Sequence, residues 1–329
     1  TFDRVERLLG VNATQPTIDV VESAPHPQRS RPPTLSILFG EAPLGNGSVR
    51  MLYDAAAHRV VVPERTIADF DPAFIEAVLA HEYAHALQYR ALGLETLVFH
   101  SDPARTAFVE GTANWATAQY VDRYDHLSAA AANPDGVDVD RNRTLVRLAT
   151  APDALGRRWA NRTLDDPRNF SALFDRPPAT TERLRAGVDE EPRPLSVAVG
   201  PGLSDDWSWS APRPKGDLWT RVALADQVGR DRAAAAAEGW GADSLRVLDR
   251  GDATAVVWVH RWESAADADE SEAALRRFAE GRRAESDTAR FRVVRLTDET
   301  TALVAGDPAA VERLAVTGSG PDATIRLAE

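Results

Sequence analysis

The sequence has no cysteine in its 329 residues. Disulfide bonds and thiolate metal ligands are therefore excluded, and any zinc site has to be built from histidine and carboxylate side chains. Long apolar runs are also missing, because no run approaches the roughly 20 residues that a membrane-spanning helix needs. No basic segment followed by an apolar one opens the chain, so we expect neither a signal peptide nor a membrane span within it.

Lysine is almost absent as well: Lys215 is the only one, and arginine supplies the remaining positive charge. With 50 acidic and 38 basic side chains the formal net charge is −12, which argues against a nucleic-acid partner. Acid-rich chains that nearly lack lysine resemble proteins of halophilic archaea. In about 1 M salt the Debye length falls to roughly 3 Å, so the repulsion among the acids is screened. A GC-rich genome that prefers arginine codons is the alternative, although it leaves the acidic excess unexplained.

Asparagine is scarce, and its use is uneven. Only seven asparagines occur, and five of them begin an N-x-S/T triplet, where chance would supply about one. The surplus indicates N-glycosylation and therefore a secreted or cell-surface protein, with chance clustering as the alternative. The five positions are Asn12, Asn46, Asn142, Asn161 and Asn169.

A proline-rich stretch at residues 192–214 coincides with a change in composition. All seven asparagines precede it, and six of the eight tryptophans lie within or after it. We expect a linker there that joins an α+β domain, residues 1–191, to an α+β accessory domain, residues 215–329.

Apolar periodicity and cap residues predict the elements of both domains. In the first domain we expect a helix at 2–9, strands at 17–22 and 34–39, a hairpin at 49–64, and helices at 71–92 and 104–124. In the second we expect helices at 217–238, 265–283 and 308–314, and strands at 244–248, 253–260, 291–296 and 302–305.

The stretch VLAHEYAHALQ, residues 78–88, places His81, Glu82 and His85 in an apolar, alanine-rich helix. Two histidines four residues apart lie on the same helical face, so both imidazoles can reach one ion. Glu82 points about 100° around the helix and therefore lies beside that ion. This H-E-x-x-H pattern predicts Zn²⁺ held by two imidazoles, with the free carboxylate as general base toward a metal-bound water. The uncharged flanks favour this interpretation over an exposed, salt-bridged helix.

A catalytic zinc needs a third protein ligand and an open fourth position. Glu110, in AFVEGTANW on the next predicted helix, is the best candidate, because an antiparallel return would bring it against the first helix. His100 and Asp102, in the connecting loop, are the alternatives. A third ligand of the metzincin type is excluded, since Gln88 and Ala91 occupy the positions of its glycine and histidine.

AHEYAHALQ followed by FVEGTANW resembles the gluzincin branch of zinc metallopeptidases, the thermolysin-like clan. As an architecture, the resemblance extends over about residues 15–125. It implies a zincin-like domain, a mixed sheet with two active-site helices, that hydrolyses peptide bonds in a peptide or protein substrate. By this likeness the Zn²⁺ ligands are His81, His85 and Glu110, and Glu82 is the general base.

The same likeness implies further roles. Asn114 lies four residues past the ligand glutamate, where the family often has a carboxylate that orients a ligand histidine, so it would accept a hydrogen bond from that histidine without bringing a charge. Residues 59–62 correspond to the edge strand that pairs with an extended peptide. A tyrosine or histidine usually stabilises the oxyanion in such enzymes, and Tyr120, Tyr124 and His126 are the candidates here.

Two more stretches, FDRPPATTERL and AEGWGADSLRVL, resemble segments of a haloarchaeal family of surface proteins with peptidase-like domains. This likeness supports an extracellular or cell-surface location. The alternative function is a catalytically silent, zinc-binding surface protein with a structural or interaction role. Six tryptophans could form a carbohydrate-stacking face, but we expect core packing. They are Trp207, Trp209, Trp219, Trp240, Trp258 and Trp262.

The charge imbalance predicts a salt-dependent stability. Dilution below about 1 M salt lengthens the Debye length and exposes the acids to their mutual repulsion, so the melting temperature should fall. Thermal unfolding followed by circular dichroism across a NaCl series measures this effect. A melting temperature that does not move with salt would contradict the halophilic interpretation.

Overall fold

The structure is a computed structural model that describes residues 1–23, 34–40, 51–127, 143–187, 191–203 and 206–328. Helices and strands are mixed throughout, as expected for an α+β protein. The elements of the first half are α1 (Phe2–Leu9), β1 (Thr17–Val21), α2 (Thr34–Phe39), β2 (Leu52–Asp54), β3 (Arg59–Pro63), α3 (Glu64–Asp69), α4 (Pro72–Arg90), α5 (Asp102–Arg123), α6 (Thr144–Thr163), α7 (Ala172–Asp175) and α8 (Thr181–Ala186), with 3₁₀ turns at Leu94–Thr96 and Pro167–Asn169.

The second half is richer in strands. Its elements are β4 (Ser196–Val199), β5 (Ser208–Trp209), α9 (Asp217–Val228), α10 (Arg230–Ala235), β6 (Trp240–Arg250), β7 (Ala253–Trp262), α11 (Ala265–Glu285), β8 (Arg290–Thr297), β9 (Thr300–Gly306), α12 (Pro308–Arg313), β10 (Leu314–Ser319) and β11 (Asp322–Leu327).

Helices α4 and α5 each begin after a residue whose side chain caps the helix. The Asp71 side chain accepts a hydrogen bond from the backbone N–H of Phe74, and Ser101 accepts one from the N–H of Ala104. After α4 the chain turns at Gly93, which has a left-handed φ of 64°. Side-chain contacts run in opposite order along the two helices, so α4 and α5 are antiparallel neighbours.

The first core lies between these two helices, α1 and the first sheet. Tyr83 and Leu87 of α4 and Phe108 of α5 are buried in it together with Val60 of β3. The ring of Phe2 from α1 meets Tyr83 edge-on, with 5.1 Å between the ring centroids. The apolar face of the H-E-x-x-H helix therefore fixes that helix against the sheet.

The first sheet has the strand order β1-β3-β2. The predicted hairpin is confirmed over its described residues, since β2 and β3 pair antiparallel around a turn in which Asp54 accepts hydrogen bonds from two backbone N–H groups. The prediction that residues 59–62 form an edge strand is wrong. These residues belong to β3, which has β1 parallel on its other side. Among the described strands β2 pairs on one side only, so it is the edge strand of this hairpin. Pairing with β1 joins segments distant in the sequence and leaves no local signal.

Residues 34–39, predicted as a strand, form helix α2 instead. Leu38 and Phe39 are buried in a second core, where the ring of Phe39 meets Trp219 and Phe278 edge-on. Six apolar-rich residues carry no decisive period, and here the tertiary packing determines the helical conformation.

Helices α5 and α6 cross at two glycines, and sequence analysis assigned no helix at α6. A Cβ on Gly156 would collide with the carbonyl oxygen of Ala107, and one on Gly111 would collide with the backbone of Gly156. The backbones can approach this closely only because both positions lack a side chain. Gly111 is the neighbour of Glu110, so this crossing supports the helix that carries the predicted third ligand.

The second half is built on a five-stranded antiparallel sheet with the order β5-β6-β7-β9-β8. Side chains of β7 alternate between its two faces: Val256 and Trp258 pack toward α9 and α11, while Val257 and Val259 pack toward α12 and the three-stranded sheet β10-β11-β4. The predicted helices and strands of this half are observed with shifted bounds, except that 217–238 divides at Gly229 into α9 and α10. Strands β10 and β11 were not predicted.

Core packing of the tryptophans is confirmed for five of the six. Trp240, Trp258 and Trp262 are almost fully buried, and Trp207 and Trp219 are also buried. Trp209 on β5 is exposed. A continuous carbohydrate-stacking face is therefore not formed by this set.

The proline-rich stretch 192–214, expected to be a linker, carries two short strands. β4 pairs with β11 and β5 pairs with β6, each at the edge of its sheet. Arg246 of β6 reinforces both, because its guanidinium donates to the carbonyl oxygens of Val197 and Ser210. Edge strands tolerate nearby prolines, since one side of the backbone needs no ladder hydrogen bond.

Two surface features concern the expected absence of a membrane span and the expected glycosylation. No helix in the described residues is both long enough and apolar enough to span a membrane. Asn12, Asn161 and Asn169 are exposed, as glycosylation acceptors have to be. The other two triplet asparagines, Asn46 and Asn142, lie outside the described residues.

The glycine crossing generates a stability prediction. Gly156→Ala should lower the free energy of unfolding by roughly 1–3 kcal/mol, because the added methyl group forces α5 and α6 apart. Gly281→Ala in α11 is the matched control, since its methyl group meets only the flexible end of Gln227. Replacing glycine by alanine within a helix, where the methyl group meets no obstacle, raises the free energy of unfolding by up to about 1 kcal/mol. Gly281→Ala should therefore not destabilise the protein. Equal denaturation midpoints for the two variants would contradict the prediction.

Glu182 in α8 lies where the two halves meet. Next to it, the buried Asp217 of α9 accepts hydrogen bonds from the hydroxyl of Thr181 and the guanidinium of Arg185. Burial, and then the charges of Asp217 and Glu263, raise the pKa of Glu182 to about 7. The folded protein therefore holds a proton on Glu182 at a pH where the unfolded chain has released it.

This pKa predicts a pH window of changing stability. Between about pH 4.5 and 7 the folded state binds more protons than the unfolded state, so the free energy of unfolding should fall as the pH rises. Glu182→Gln should remove that slope and stabilise the protein by roughly 1–3 kcal/mol at pH 8. Denaturant titrations of both proteins at pH 5 and pH 8, at one fixed salt concentration, measure the free energy of unfolding and its change with pH. Glu191→Gln, at an exposed glutamate of the same region, is the control, and a similar gain from it would count against the Glu182 assignment.

Candidate metal centre

Helices α4 and α5 bring the three predicted metal ligands together. Nε2 of His81 lies 3.1 Å from Nε2 of His85 and 3.5 Å from Oε2 of Glu110. Nε2 of His85 lies 3.4 Å from the same carboxylate oxygen. Within the described part of the chain, these three residues form the group of His, Asp and Glu side chains that could hold a metal ion.

The two alternative ligands lie elsewhere. The His100 ring packs edge-on against Trp240, with 5.8 Å between the ring centroids, and its backbone N–H donates to the carbonyl of Ala179. Asp102 is the first residue of α5. Neither belongs to the converging group.

A buried glutamine sets the orientation of the His85 ring. The Gln88 side chain is fully buried, and its Oε1 lies 2.8 Å from Nδ1 of His85. The amide oxygen can only accept, so Nδ1 of His85 carries a hydrogen and donates it. Nε2 of the same ring is then the nitrogen with the lone pair, and it faces His81 and Glu110.

The Thr117 hydroxyl orients the His81 ring in the same way, but over a longer distance. The Thr117 hydroxyl donates to the carbonyl of Ala113 and lies 3.5 Å from Nδ1 of His81. Because its hydrogen is already used, this hydroxyl can only accept from the imidazole. Asn114, the residue expected to orient a histidine, makes no hydrogen bond to either ring among the described residues. Both histidines are therefore supported by neutral groups from Gln88 and Thr117.

When both imidazoles are neutral, three acceptors consequently face one another with no donor among them. Burial lowers the pKa of His85, but the Glu110 carboxylate outweighs it and raises the pKa to about 9. Burial also opposes the charge on Glu110, yet His85 and His81 hold the pKa of its carboxyl well below the usual range. The arrangement requires a positive charge, which either a proton or a bound cation can supply.

The spacing fits a tetrahedral ion. Metal–ligand distances of about 2.0–2.1 Å place tetrahedral donors about 3.3 Å apart. The observed separations of 3.1, 3.4 and 3.5 Å match one face of such a tetrahedron. The Glu110 side chain is 41% exposed, against 13% and 10% for the histidines, so the cluster opens to solvent on the glutamate side.

Glu82 lies outside the ligand group, as its place in the motif predicts. Its side chain is buried, and Oε2 accepts a 2.7 Å hydrogen bond from the backbone N–H of Tyr53 on the edge strand β2. A main-chain N–H group therefore fixes the position of the Glu82 carboxylate, the one carboxylate of the motif that is not a ligand. Sequence analysis missed this contact because residue 53 is distant along the chain and any residue with an N–H could provide it.

The three candidates for oxyanion stabilisation are not directed at the cluster. The Tyr120 hydroxyl donates to Glu76 Oε1 at 2.6 Å, and Nε2 of His126 lies 3.0 Å from Glu76 Oε2. Tyr124 packs against the Tyr120 ring and holds the guanidinium of Arg4 over its face. These contacts around Glu76 connect α1 and the end of α5 to the beginning of α4.

Comparison with known proteins finds a family match for one part of the chain. Residues 212–317 match a family described as "Domain of unknown function (DUF8575)". This match covers α9 to α12, ends within β10, and excludes the histidine–glutamate cluster. No curated protein and no solved structure matches the chain.

Proposed function

We propose that the protein is a zinc-dependent metallopeptidase that hydrolyses peptide bonds, with its centre at His81, His85 and Glu110. One observation carries the proposal: three acceptor atoms converge at tetrahedral spacing, and the buried carboxylate of Glu82, whose charge acts on His85, is anchored outside the ligand group by the Tyr53 N–H. Without cysteine, two imidazoles and a carboxylate are the donor set that the chain can offer to zinc.

The residues fit the ion in charge as well as in spacing. The neutral amide of Gln88 and the hydroxyl of Thr117 leave both Nε2 atoms bare, which is the form in which imidazole binds zinc. When bound, zinc would polarise the scissile carbonyl and make water acidic enough to attack at neutral pH. The exposed side of Glu110 leaves access for that water and for substrate.

Glu82 would move the proton. Its Oε2 is anchored by the Tyr53 N–H, which leaves Oε1 to accept a proton from the attacking water and pass it to the leaving amine. The same contact links the general base to β2. Among the described strands β2 pairs only with β3, so an extended peptide that adds along its other side would lie beside the carboxylate that acts on it.

The surroundings support a zincin-like domain. A mixed sheet packs on an H-E-x-x-H helix, and the next helix supplies the third donor from an antiparallel position. The acidic excess and the exposed triplet asparagines support a halophilic, archaeal, extracellular or cell-surface glycoprotein. Its partner would be a peptide or protein substrate.

A second function is favoured by two observations. First, the groups that contact the outer nitrogens of both histidines are neutral. Second, Tyr120 and His126 are bonded to Glu76, and none of Tyr120, Tyr124 and His126 makes a described hydrogen bond to the cluster. A surface protein that binds zinc in a structural or interaction role, without turnover, would show the same features.

Metal analysis and hydrolysis together separate these functions. Protein purified in high salt should contain about one zinc per chain and cleave a mixture of peptides. Glu82→Gln should keep the zinc and lose roughly 10²–10⁴-fold in activity, because the proton acceptor is gone. Glu95→Gln makes the same change at an exposed glutamate after α4 and should leave activity unchanged.

Each other result has a definite meaning. Zinc without hydrolysis in the wild type would establish the structural alternative. A chain without zinc would overturn both functions. Hydrolysis that survives Glu82→Gln would remove Glu82 from the mechanism and leave the metal site standing.

A further inference from the structure

We infer that Gln88 is a positioning residue that preforms the metal site by fixing both the His85 ring and the register of the helix that carries Glu110. This inference rests on the proposed zinc function. It concerns a residue that the H-E-x-x-H pattern does not include, three positions beyond its second histidine.

The orientation of the Gln88 amide is determined by its surroundings. Nε2 donates to the carbonyl oxygen of Val109 at 2.9 Å and to Oγ1 of Thr112 at 2.8 Å. The Val109 carbonyl has no hydrogen to give, and the Thr112 hydroxyl donates its own to Phe108. Both groups therefore need the NH₂ side of the amide, and only Oε1 is left for His85.

The two ends of this amide act on different metal ligands. Oε1 holds the hydrogen on Nδ1 of His85, which directs the lone pair of Nε2 into the site. The NH₂ group holds α5 on either side of Glu110, at the residue before it and at the residue two positions after it. A single side chain thus connects a ligand of α4 to the segment of α5 that supplies the third ligand.

Filling a buried position in the core would not by itself require a side chain with hydrogen-bonding groups. Leu87, the neighbour of Gln88, is also fully buried, and an apolar side chain would fill such a position without requiring three hydrogen bonds. The glutamine uses both of its N–H donors on the ligand-bearing helix and its carbonyl oxygen on a ligand. Its loss should therefore appear in metal binding and not only in folding.

Gln88→Met keeps the size of the side chain and removes the hydrogen bonds. We expect the Zn²⁺ dissociation constant, measured by chelator competition in high salt, to rise roughly 10- to 100-fold, because outer contacts of ligand histidines have effects of this size. The Co²⁺-loaded protein should also show an altered visible spectrum. Gln119→Met, the same change at a half-buried position of α5, is the control and should match the wild type.

Thr112→Val is the second variant, in case Gln88→Met does not fold. It removes one of the two acceptors of the Gln88 amide, and we expect a smaller rise in the dissociation constant, roughly 3- to 10-fold. Folded Gln88→Met and Thr112→Val proteins with wild-type zinc affinity and an unchanged Co²⁺ spectrum would overturn the inference, even if the metal-free melting temperature falls. A wild type that binds no zinc would instead overturn the proposed function together with it.

Discussion

A positive charge is required where Nε2 of His81, Nε2 of His85 and Oε2 of Glu110 meet, and the candidate site follows from that requirement. The three atoms accept hydrogen bonds, and their neighbours Gln88 and Thr117 already use the hydrogens on the far sides of both rings. The Glu110 carboxylate raises the pKa of His85 to about 9, so in the free protein a proton can occupy this position. A dication at the same point would satisfy all three acceptors at once.

Close packing of helices makes this convergence possible. Glu110 reaches the histidines because α5 lies antiparallel to α4, and α5 is fixed from behind by the glycine crossing between Gly111 and Gly156. The Gln88 amide fastens the front of the same helix. The ligand helix is therefore held on two sides by contacts that tolerate little change in volume or register. A movement of α5 by one residue would replace Glu110 with a neighbour that cannot bind a metal.

The second half of the chain supports this arrangement through a polar contact region. Asp217 at the start of α9 accepts from Thr181 and Arg185 of α8. Asp243 of β6 accepts from the backbone N–H groups of Lys215 and Gly216 and from the Trp258 indole, so it fixes the approach to α9 against the large sheet. Burial raises the pKa of Asp243, and these donors offset that cost. The matched family region thus packs on the helices behind the candidate site without contributing to its ligand group.

The sequence by itself determined the H-E-x-x-H helix and the common face of its two histidines, because helical periodicity is a local rule. It offered Glu110 as a third ligand only through the expected antiparallel return of the next helix. The hairpin and four of the eight strands of the second half, β6 to β9, were also predicted from their alternation. Only the tertiary structure decided that residues 34–39 are helical, that β3 is central, and that Gln88 and Thr117 rather than Asn114 support the histidines. Each of these depends on a partner distant along the chain, whether β1 beside β3 or α5 beside Gln88. Local patterns specify which side chains a segment presents, whereas packing specifies what they meet. The contacts that Gln88 and Thr117 make between α4 and α5 form only once the two helices are in register.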